Sequence, residues 1–175
     1  MAAEFCTAQE IEAVLRERGW LRSGDGSAED SALQEWLCRA ADLLAPYATD
    51  RESLAALLEM LFVYDARELL RSSEAQEVLS RTGAREVIRE VAHRVLEGGD
   101  IDSDRFKEII EGVKLAVPYR SRAMFHPIRL ALTGHAGEGD LDRVILLIDP
   151  ASRVPSVSHV STTRERMMEF CAALD

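Results

Sequence analysis

Apolar residues recur at helical spacing in one short segment of the sequence after another. Between residues 31 and 45, leucine, tryptophan and alanine fall three or four positions apart, which places them on one face of an α-helix. Pro46 ends this pattern, because proline cannot continue a helix. Thr7, followed three positions later by Glu10, is typical of the residue pair that caps a first helical turn. The sequence therefore predicts an all-α fold built from short helices.

The other helices are predicted from the same spacing and from residues that begin or end helices. Gly19 ends the first helix, and Asp50 caps a third that runs to about residue 64. Residues 126–134 are compatible with a short helix opened by Pro127 or with extended structure. The remaining predictions are helices at residues 66–72, 74–81, 83–97, 103–116 (capped by Asp102 or Ser103), 140–149 and after Thr162 or Thr163, with loops at 22–30 and 150–161.

Length and charge limit the architecture and the kinds of partner. A chain of 175 residues can form one domain or two small subdomains, and we expect helical subdomains at residues 1–70 and 71–175. The net charge of −10 opposes indiscriminate binding of nucleic acid, because an acidic surface repels phosphate. The charge is uneven, since residues 114–143 carry five Lys/Arg and three Asp/Glu, whereas residues 1–113 carry 13 and 24. One basic segment is therefore set in an acidic chain.

Cysteine and histidine spacing gives no sign of a disulfide or a metal site. The cysteines, Cys6, Cys38 and Cys171, are far apart and form no CxxC pair, and the four histidines lie at no ligand spacing. The N-terminus lacks the pattern of a signal peptide, and no apolar run approaches the roughly 20 residues that span a membrane. We therefore expect a cytoplasmic protein without metal, cofactor or membrane contact.

Known catalytic signatures are missing as well. The sequence contains no GxxxxGK[ST], GxGxxG, GxSxG or HExxH pattern. The Gly-rich stretch 134–140 is compatible with an anion-binding loop, but a turn between two helices is the favoured interpretation. Glu138 and Asp140 in this stretch also oppose phosphate binding.

Arginine and aromatic residues are interleaved in one part of the basic segment, YRSRAMFHPIR, from Tyr119 to Arg129. Such a mixture suits single-stranded RNA, because guanidinium groups pair with phosphates or base edges and aromatic rings stack on bases. His126 is compatible with stacking on a base and equally with local packing. The arginines are also compatible with pairing to nearby acids, so the residues alone leave both interpretations open.

The longer stretch YRSRAMFHPIRLALTG, residues 119–134, resembles a signature near the end of bacterial-type glutamyl-tRNA synthetases. That family's pattern is Leu-Phe-x-Pro-Leu/Ile-Arg-x-Ala-Leu-Thr-Gly, which residues 124–134 follow closely. GEGDLDRVILLID, residues 137–149, is similar to the family's next helix, and residues 36–65 are similar in layout to an upstream helical region. The resemblance covers most of the chain and implies the all-helical anticodon-binding region of such a synthetase.

The resemblance also implies roles for individual residues. Arg129 is expected to contact an anticodon base, and residues 135–139 are expected to shape the pocket. Glu138 and Gly139 stand where the family commonly has a small residue and a proline. The complete expected anticodon-binding set is Arg129, Arg120, Arg122 and Lys114, the last three as phosphate contacts, with His126, His135, Glu138 and Gly139.

The family's catalytic domain carries HIGH-type and KMSKS-type signatures, and neither occurs in this sequence. The expected function is therefore tRNA anticodon-loop recognition without catalysis, with tRNA as partner and a synthetase catalytic domain as a second candidate partner. The alternative is a protein-interaction module that kept the fold and lost RNA binding. The acidic charge favours this alternative, whereas the retained arginines favour RNA.

Overall fold

The computed structural model describes residues 5–22 and 27–175, and this part of the chain contains ten α-helices. Its only strand-like pairing is an antiparallel bridge between Leu21 and Val157. The predicted all-α fold is confirmed. The helices are α1 (Ala8–Glu17), α2 (Ser27–Leu44), α3 (Arg51–Phe62), α4 (Ala66–Leu69), α5 (Ser73–Ser80), α6 (Ala84–Glu97), α7 (Ser103–Ala116), α8 (Arg122–Thr133), α9 (Gly139–Ser152) and α10 (Thr163–Leu174).

Polar residues cap the helices where the sequence predicted caps. The Asp50 carboxylate accepts a hydrogen bond from the Ser53 amide at 2.7 Å, and the Asp50 amide donates to the Ser53 hydroxyl at 3.2 Å. Such contacts satisfy amides that the first turn of a helix leaves without partners. The other predicted caps are Thr7 on α1, Asp102 on α7 and Thr162 on α10.

Some helix boundaries differ from those predicted. α2 begins at Ser27, inside the predicted loop 22–30, of which residues 23–26 lie outside the described residues. α4 is a single helical turn. α9 continues past Pro150 to Ser152. Pro150 lacks the amide hydrogen that would bond to the carbonyl four residues before it, and the helix ends two residues later.

The largest difference concerns the segment around Pro127. This segment is helical, but α8 begins at Arg122, so Pro127 lies in the helix interior and does not open it. An interior proline costs about 3 kcal/mol, because it loses a hydrogen bond and its ring crowds the preceding turn. Met124, Ile128 and Leu132 lie one turn apart and are all buried. Each contributes about 1.5–3 kcal/mol, so burial of this face outweighs the cost of the proline.

α8 and α9 lie at the centre of the packing. α8 packs against α5, α6, α9 and α10, while α9 packs against α2 and α3. The buried apolar residues form one cluster, to which each of the described helices contributes. The division into subdomains at residues 1–70 and 71–175 stays a prediction. Contacts of α9 and α10 with α2, α3 and α4 cross the proposed boundary.

Arg166, on α10, is a fully buried cation that joins three helices. One face of its guanidinium lies on the Tyr64 ring, with the central carbon 4.7 Å from the ring centre. Its nitrogens donate to backbone carbonyls at the ends of α3 and α8 and just before α10. These carbonyls belong to Met60, Leu61, Leu132 and Ser161, at 2.8, 2.7, 2.9 and 2.9 Å.

The partners of Arg166 explain how a cation is tolerated in the core. Carbonyls in the last turn of a helix have no partner within the helix, and they carry partial negative charge. They therefore balance the guanidinium, and no carboxylate in the described part of the chain hydrogen-bonds to it. Burial lowers the pKa of Arg166 to about 10. The side chain is still charged at neutral pH.

Asp149, on α9, is the complementary buried anion. Its carboxylate accepts hydrogen bonds from the Ile101 amide at 2.8 Å, the Thr163 amide at 2.9 Å and the Thr163 hydroxyl at 2.8 Å. Thr163 is the first residue of α10, so the carboxylate also faces the positive end of that helix dipole. Asp149 thus joins α9 to the start of α10 and to the segment before α7.

Replacing Arg166 by methionine should lower the free energy of unfolding by at least about 3 kcal/mol. Methionine keeps much of the apolar stem but has no donor, so several carbonyls are left buried without partners at about 1–3 kcal/mol each. Urea unfolding followed by circular dichroism measures the change.

The matched control is Arg39→Met on the exposed surface of α2, which should change the free energy of unfolding by less than about 0.5 kcal/mol. Equal effects of the two substitutions would contradict a structural role for the Arg166 hydrogen bonds.

Candidate nucleic-acid interface

The basic segment, residues 114–143, begins in the last turn of α7 and continues through a tight turn, α8 and the following loop to the start of α9. Ser121 precedes α8 with φ at 55°, a conformation that costs a residue other than glycine about 1–3 kcal/mol. Arg120 holds the turn, because its guanidinium donates to the carbonyls of Lys114, Val117 and Tyr119 at 2.6–2.8 Å. The Lys114 carbonyl belongs to the last turn of α7, so Arg120 also caps that helix.

Tyr119 anchors the same turn on α6. Gly83 precedes α6 with φ at 87°, which glycine adopts without strain. A Cβ atom at Gly83 would lie 2.2 Å from the Tyr119 ring, so any side chain there would collide with it. The glycine thus lets the aromatic ring lie directly on the backbone.

Lys114 and Arg122 are cations with weak partners. The Lys114 ammonium lies 3.1 Å from Glu111, and Arg122 lies 3.4 Å from Glu138. The Arg122 side chain is 75% exposed. Exposed ion pairs contribute about 0–1 kcal/mol, so both cations can exchange their carboxylate for another anion at little cost.

Arg129, in contrast, is only 7% exposed and is engaged within the chain. Its Nε and Nη2 donate to the two carboxylate oxygens of Asp142 at 2.8 and 3.0 Å, and its Nη1 donates to the Gly137 carbonyl at 3.0 Å. The guanidinium carbon lies 4.8 Å from the centre of the Phe125 ring. A guanidinium has five N–H groups, and two of them, one on each terminal nitrogen, have no partner among the described residues.

The loop between α8 and α9 is held from both sides. The Glu74 carboxylate, on α5, accepts a hydrogen bond from the Ala136 amide and lies 3.3 Å from Nδ1 of His135. On the opposite side, Arg129 donates to the Gly137 carbonyl. These contacts fix the shape of residues 135–137.

Glycines begin and end this loop, but only one is required by the backbone. Gly134 ends α8 with φ at 91°, in the left-handed region that favours glycine. Gly139 is the first residue of α9, and a Cβ atom there would meet the Tyr47 hydroxyl at an ordinary 3.8 Å. A small side chain at position 139 would therefore fit.

His126 lies beside Arg81, the residue that follows α5. Nη1 of Arg81 is 2.9 Å from Nδ1 of His126, so the arginine donates and the ring nitrogen accepts. Burial is the main cause of a lowered pKa of His126; the charges of Arg81, Arg129 and Arg122 add to it, and Glu138 opposes it. His126 is thus a neutral ring at pH 7, with its proton on Nε2.

The structure divides the predicted site residues into two groups. Arg120 and Lys114 lie at the turn between α7 and α8 and bond to the end of α7. The second group lies on α8 and the loop that follows it: Arg122, His126, Arg129, His135, Glu138 and Gly139.

Sequence reasoning missed Glu74, Arg81 and Asp142, which complete the second group. Glu74 is separated from Ala136 by 62 positions, and Arg81 is separated from His126 by 45. No local pattern marks contacts over such distances. Nothing in the sequence singled out Asp142, because acidic residues in the first turn of a helix are already explained by their favourable interaction with the helix dipole.

An acidic cleft adjoins the start of the loop between α8 and α9. It encloses about 290 Å³, and its lining includes Asp65, Glu68, Glu74, Gly134 and His135. An anionic ligand is repelled from this side. The favourable approach is over α8, where Arg81 and Arg122 are exposed.

Within the described ranges, no three His, Cys, Asp or Glu side chains are grouped so that they would bind a metal ion. Nor does any helix in that part of the chain have the length and apolar character to cross a membrane.

A family model described as an anticodon binding domain matches residues 7–152. The match includes α8, the loop after it and the ion pair of Arg129 with Asp142. The chain belongs to this anticodon binding domain family. Membership accounts for the resemblance of residues 119–134 to the synthetase signature, and for the all-helical fold.

Curated relatives of this anticodon binding domain are glutamate–tRNA ligases. The ligase of Bacillus subtilis is 25% identical over 134 residues, which are 77% of this chain and 26% of the ligase. Ligase 2 of Syntrophus aciditrophicus is 25% identical over 118 residues (67% and 24%), and the ligase of Sulfurihydrogenibium sp. is 27% identical over 120 residues (68% and 24%). The chain thus spans about a quarter of the length of these relatives. No solved structure matches it.

The pKa of His126 should lie below 6.5, and Arg81→Gln should raise it, because glutamine removes a positive charge that opposes protonation. NMR titration of the ring signals measures both values. The unfolded chain binds the His126 proton more readily than the folded chain. The contribution to stability is therefore complete above pH 6.5 and is lost as the pH falls toward the folded-state pKa.

Arg85→Gln is the control, since Arg85 is exposed on α6 and its replacement by glutamine removes the same charge. It should leave the pKa of His126 unchanged. A wild-type titration curve for Arg81→Gln would show that the Arg81–His126 contact is not formed in solution.

Proposed function

We propose that the chain binds the anticodon stem-loop of a tRNA. The observation that carries this proposal is the family match over residues 7–152, which covers α8 and the loop after it. The curated relatives are glutamate–tRNA ligases, so a tRNA for glutamate is the first candidate ligand. The signature at residues 124–134 supports the same choice.

In this proposal the RNA backbone lies against the cationic side of α8. The side chains of Arg122 and Arg81 are 75% and 40% exposed, and each forms an ion pair with an exposed carboxylate, while Arg81 also donates to the His126 ring. Phosphates can replace those carboxylates at little cost, because exposed pairs contribute about 0–1 kcal/mol. Lys114 and Arg120 extend the positive surface at the turn before α8. They contact phosphate through N–H groups that their hydrogen bonds to the described residues do not use.

Base reading is assigned to Arg129 and the loop. Asp142 and Gly137 hold the guanidinium of Arg129, and its two remaining N–H groups are the donors assigned to the base. A pair of N–H groups can donate to two acceptors on one base edge. His126 contributes a neutral ring that can stack on a base, and residues 135–139 form the wall of the pocket.

The proposal assigns no catalysis to this chain. Its matched region is about a quarter of a glutamate–tRNA ligase, and the printed sequence has neither a HIGH-type nor a KMSKS-type signature. Activation of glutamate would then need a synthetase catalytic domain as a partner. Location in the cytoplasm, where tRNA is charged, stays a prediction.

The purified chain should catalyse no glutamate-dependent exchange of pyrophosphate into ATP, because it lacks both nucleotide-binding signatures. A radiolabelled exchange assay measures this, with a complete glutamate–tRNA ligase as the positive control. Exchange above the protein-free background would contradict the non-catalytic assignment.

A protein-interaction module that kept the fold is the second candidate function. Two observations favour it: the chain has a net charge of −10, and Arg129 is occupied by Asp142. RNA titration separates the two functions.

Arg129→Lys should weaken binding of a matching stem-loop by about 1–3 kcal/mol and relax its sequence preference, because lysine keeps the charge but not the planar fork. Arg122→Gln should weaken binding of every stem-loop alike and reduce the salt dependence by about one phosphate contact. Fluorescence titration of stem-loops with the glutamate anticodon UUC, and with each base changed, at two salt concentrations, measures both effects.

Arg39→Gln, on the exposed surface of α2, is the control for loss of one positive charge and should bind as the wild type does. If the wild type binds no stem-loop even at low salt, the anticodon proposal is excluded and the interaction module becomes the leading function.

A further inference from the structure

We infer that Asp142 is a positioning residue for base recognition, because it fixes the guanidinium of Arg129 in the orientation that reads the anticodon. The inference rests on the proposed function and goes one step beyond it. Asp142 is the group on which the base preference of Arg129 depends.

The guanidinium of Arg129 is held by contacts on two of its edges and on one face. Asp142 holds one edge through two hydrogen bonds of 2.8 and 3.0 Å, and the Gly137 carbonyl holds Nη1 at 3.0 Å. The Phe125 ring covers one face, with the guanidinium carbon 4.8 Å from the ring centre. The two N–H groups that remain therefore have fixed directions.

Fixed directions favour recognition over a flexible contact. An exposed arginine must lose rotamer freedom each time it binds, at a cost that reduces affinity for right and wrong bases alike. Here that freedom is already lost in the free protein. A base whose acceptors match the two N–H groups gains the full hydrogen-bond energy, and a mismatched base leaves nearly buried donors without partners.

Stability alone does not explain this ion pair. The side chains of Arg129 and Asp142 are 9% and 25% exposed, so both charges lose part of their hydration, which offsets much of the attraction between them. What such a pair does provide is one defined geometry. The same bonds also tie α8 to the first turn of α9 and so set the width of the loop between them.

The neighbouring acid has a different role. Asp140, in the same first turn of α9, accepts a hydrogen bond from the Leu141 amide. It makes no hydrogen bond to Arg129 among the described residues. Asp140 and Asp142 thus form a natural pair for comparison, with equal charge in the same helical turn.

Two effects of removing the Asp142 charge have opposite signs. Loss of a negative charge should strengthen RNA binding, because the surface repels phosphate less. Loss of the bidentate contact should weaken binding of the preferred anticodon, because Arg129 becomes mobile. Asp140→Asn shows the first effect alone, whereas Asp142→Asn shows both, so the comparison isolates positioning.

The experiment titrates wild type, Asp140→Asn and Asp142→Asn with the UUC stem-loop and with its base-changed versions. Thermal unfolding by circular dichroism checks that each variant is folded at the assay temperature. We expect Asp140→Asn to bind at least as tightly as wild type with the same preference. We expect Asp142→Asn to bind the UUC stem-loop about tenfold more weakly, with the base-changed versions nearly unaffected.

Binding of Asp142→Asn as tight and as selective as that of Asp140→Asn would overturn the inference while leaving the proposed function intact. Absence of binding by the wild type would overturn both. If Asp142→Asn is unfolded at the assay temperature, Asp142→Glu replaces it, since it keeps the charge but moves the carboxylate by one methylene. A folded Asp142→Glu should also lose the preference for UUC, and a wild-type preference would contradict positioning.

Discussion

The buried guanidinium of Arg166 is the interaction on which the other parts of this fold depend. Two helix ends, those of α3 and α8, point their unpaired carbonyls at one place in the core, and Arg166 satisfies both. Without that donor set, either end would carry buried polar groups without partners. α10, which supplies Arg166, lies beyond residues 7–152, the range matched by the anticodon binding domain model. The C-terminal helix is thus a structural part of the domain.

Anchoring of α8 also determines where the candidate interface lies. Tyr64 donates to the Ala131 carbonyl, and Arg166 donates to the next carbonyl along, so the last turn of α8 is held by buried groups. The loop to α9 starts from this fixed turn. Its far side is held by Glu74 and by the contact of Arg129 with Gly137. A loop held at several points changes shape little on binding, which favours recognition by complementarity.

The net charge of the chain is a poor guide to its surface near this loop. Some of its acids make specific local contacts: Asp142 holds Arg129, Glu74 holds the loop, and Asp65 and Glu68 line the cleft near the end of α8. The sequence grouped Arg129 with residues 135–139, which are close along the chain, and in the structure Arg129 donates to the Gly137 carbonyl of that loop. It left open whether the arginines pair with RNA or with acids. The structure pairs Arg129 and Arg122 with acids, but at very different exposure, so only Arg122 can exchange its partner at little cost.

The sequence by itself determined the helices, most of their caps and the family signature. These depend on residues within one or two helical turns, as in the contact of Asp50 with Ser53. Only the tertiary structure decided that Pro127 lies inside α8, since burial of a whole helix face outweighs one lost hydrogen bond. It also decided that Arg81 meets His126 across 45 positions. Such contacts arise from the packing of complete helices, and no order of neighbouring residues encodes them.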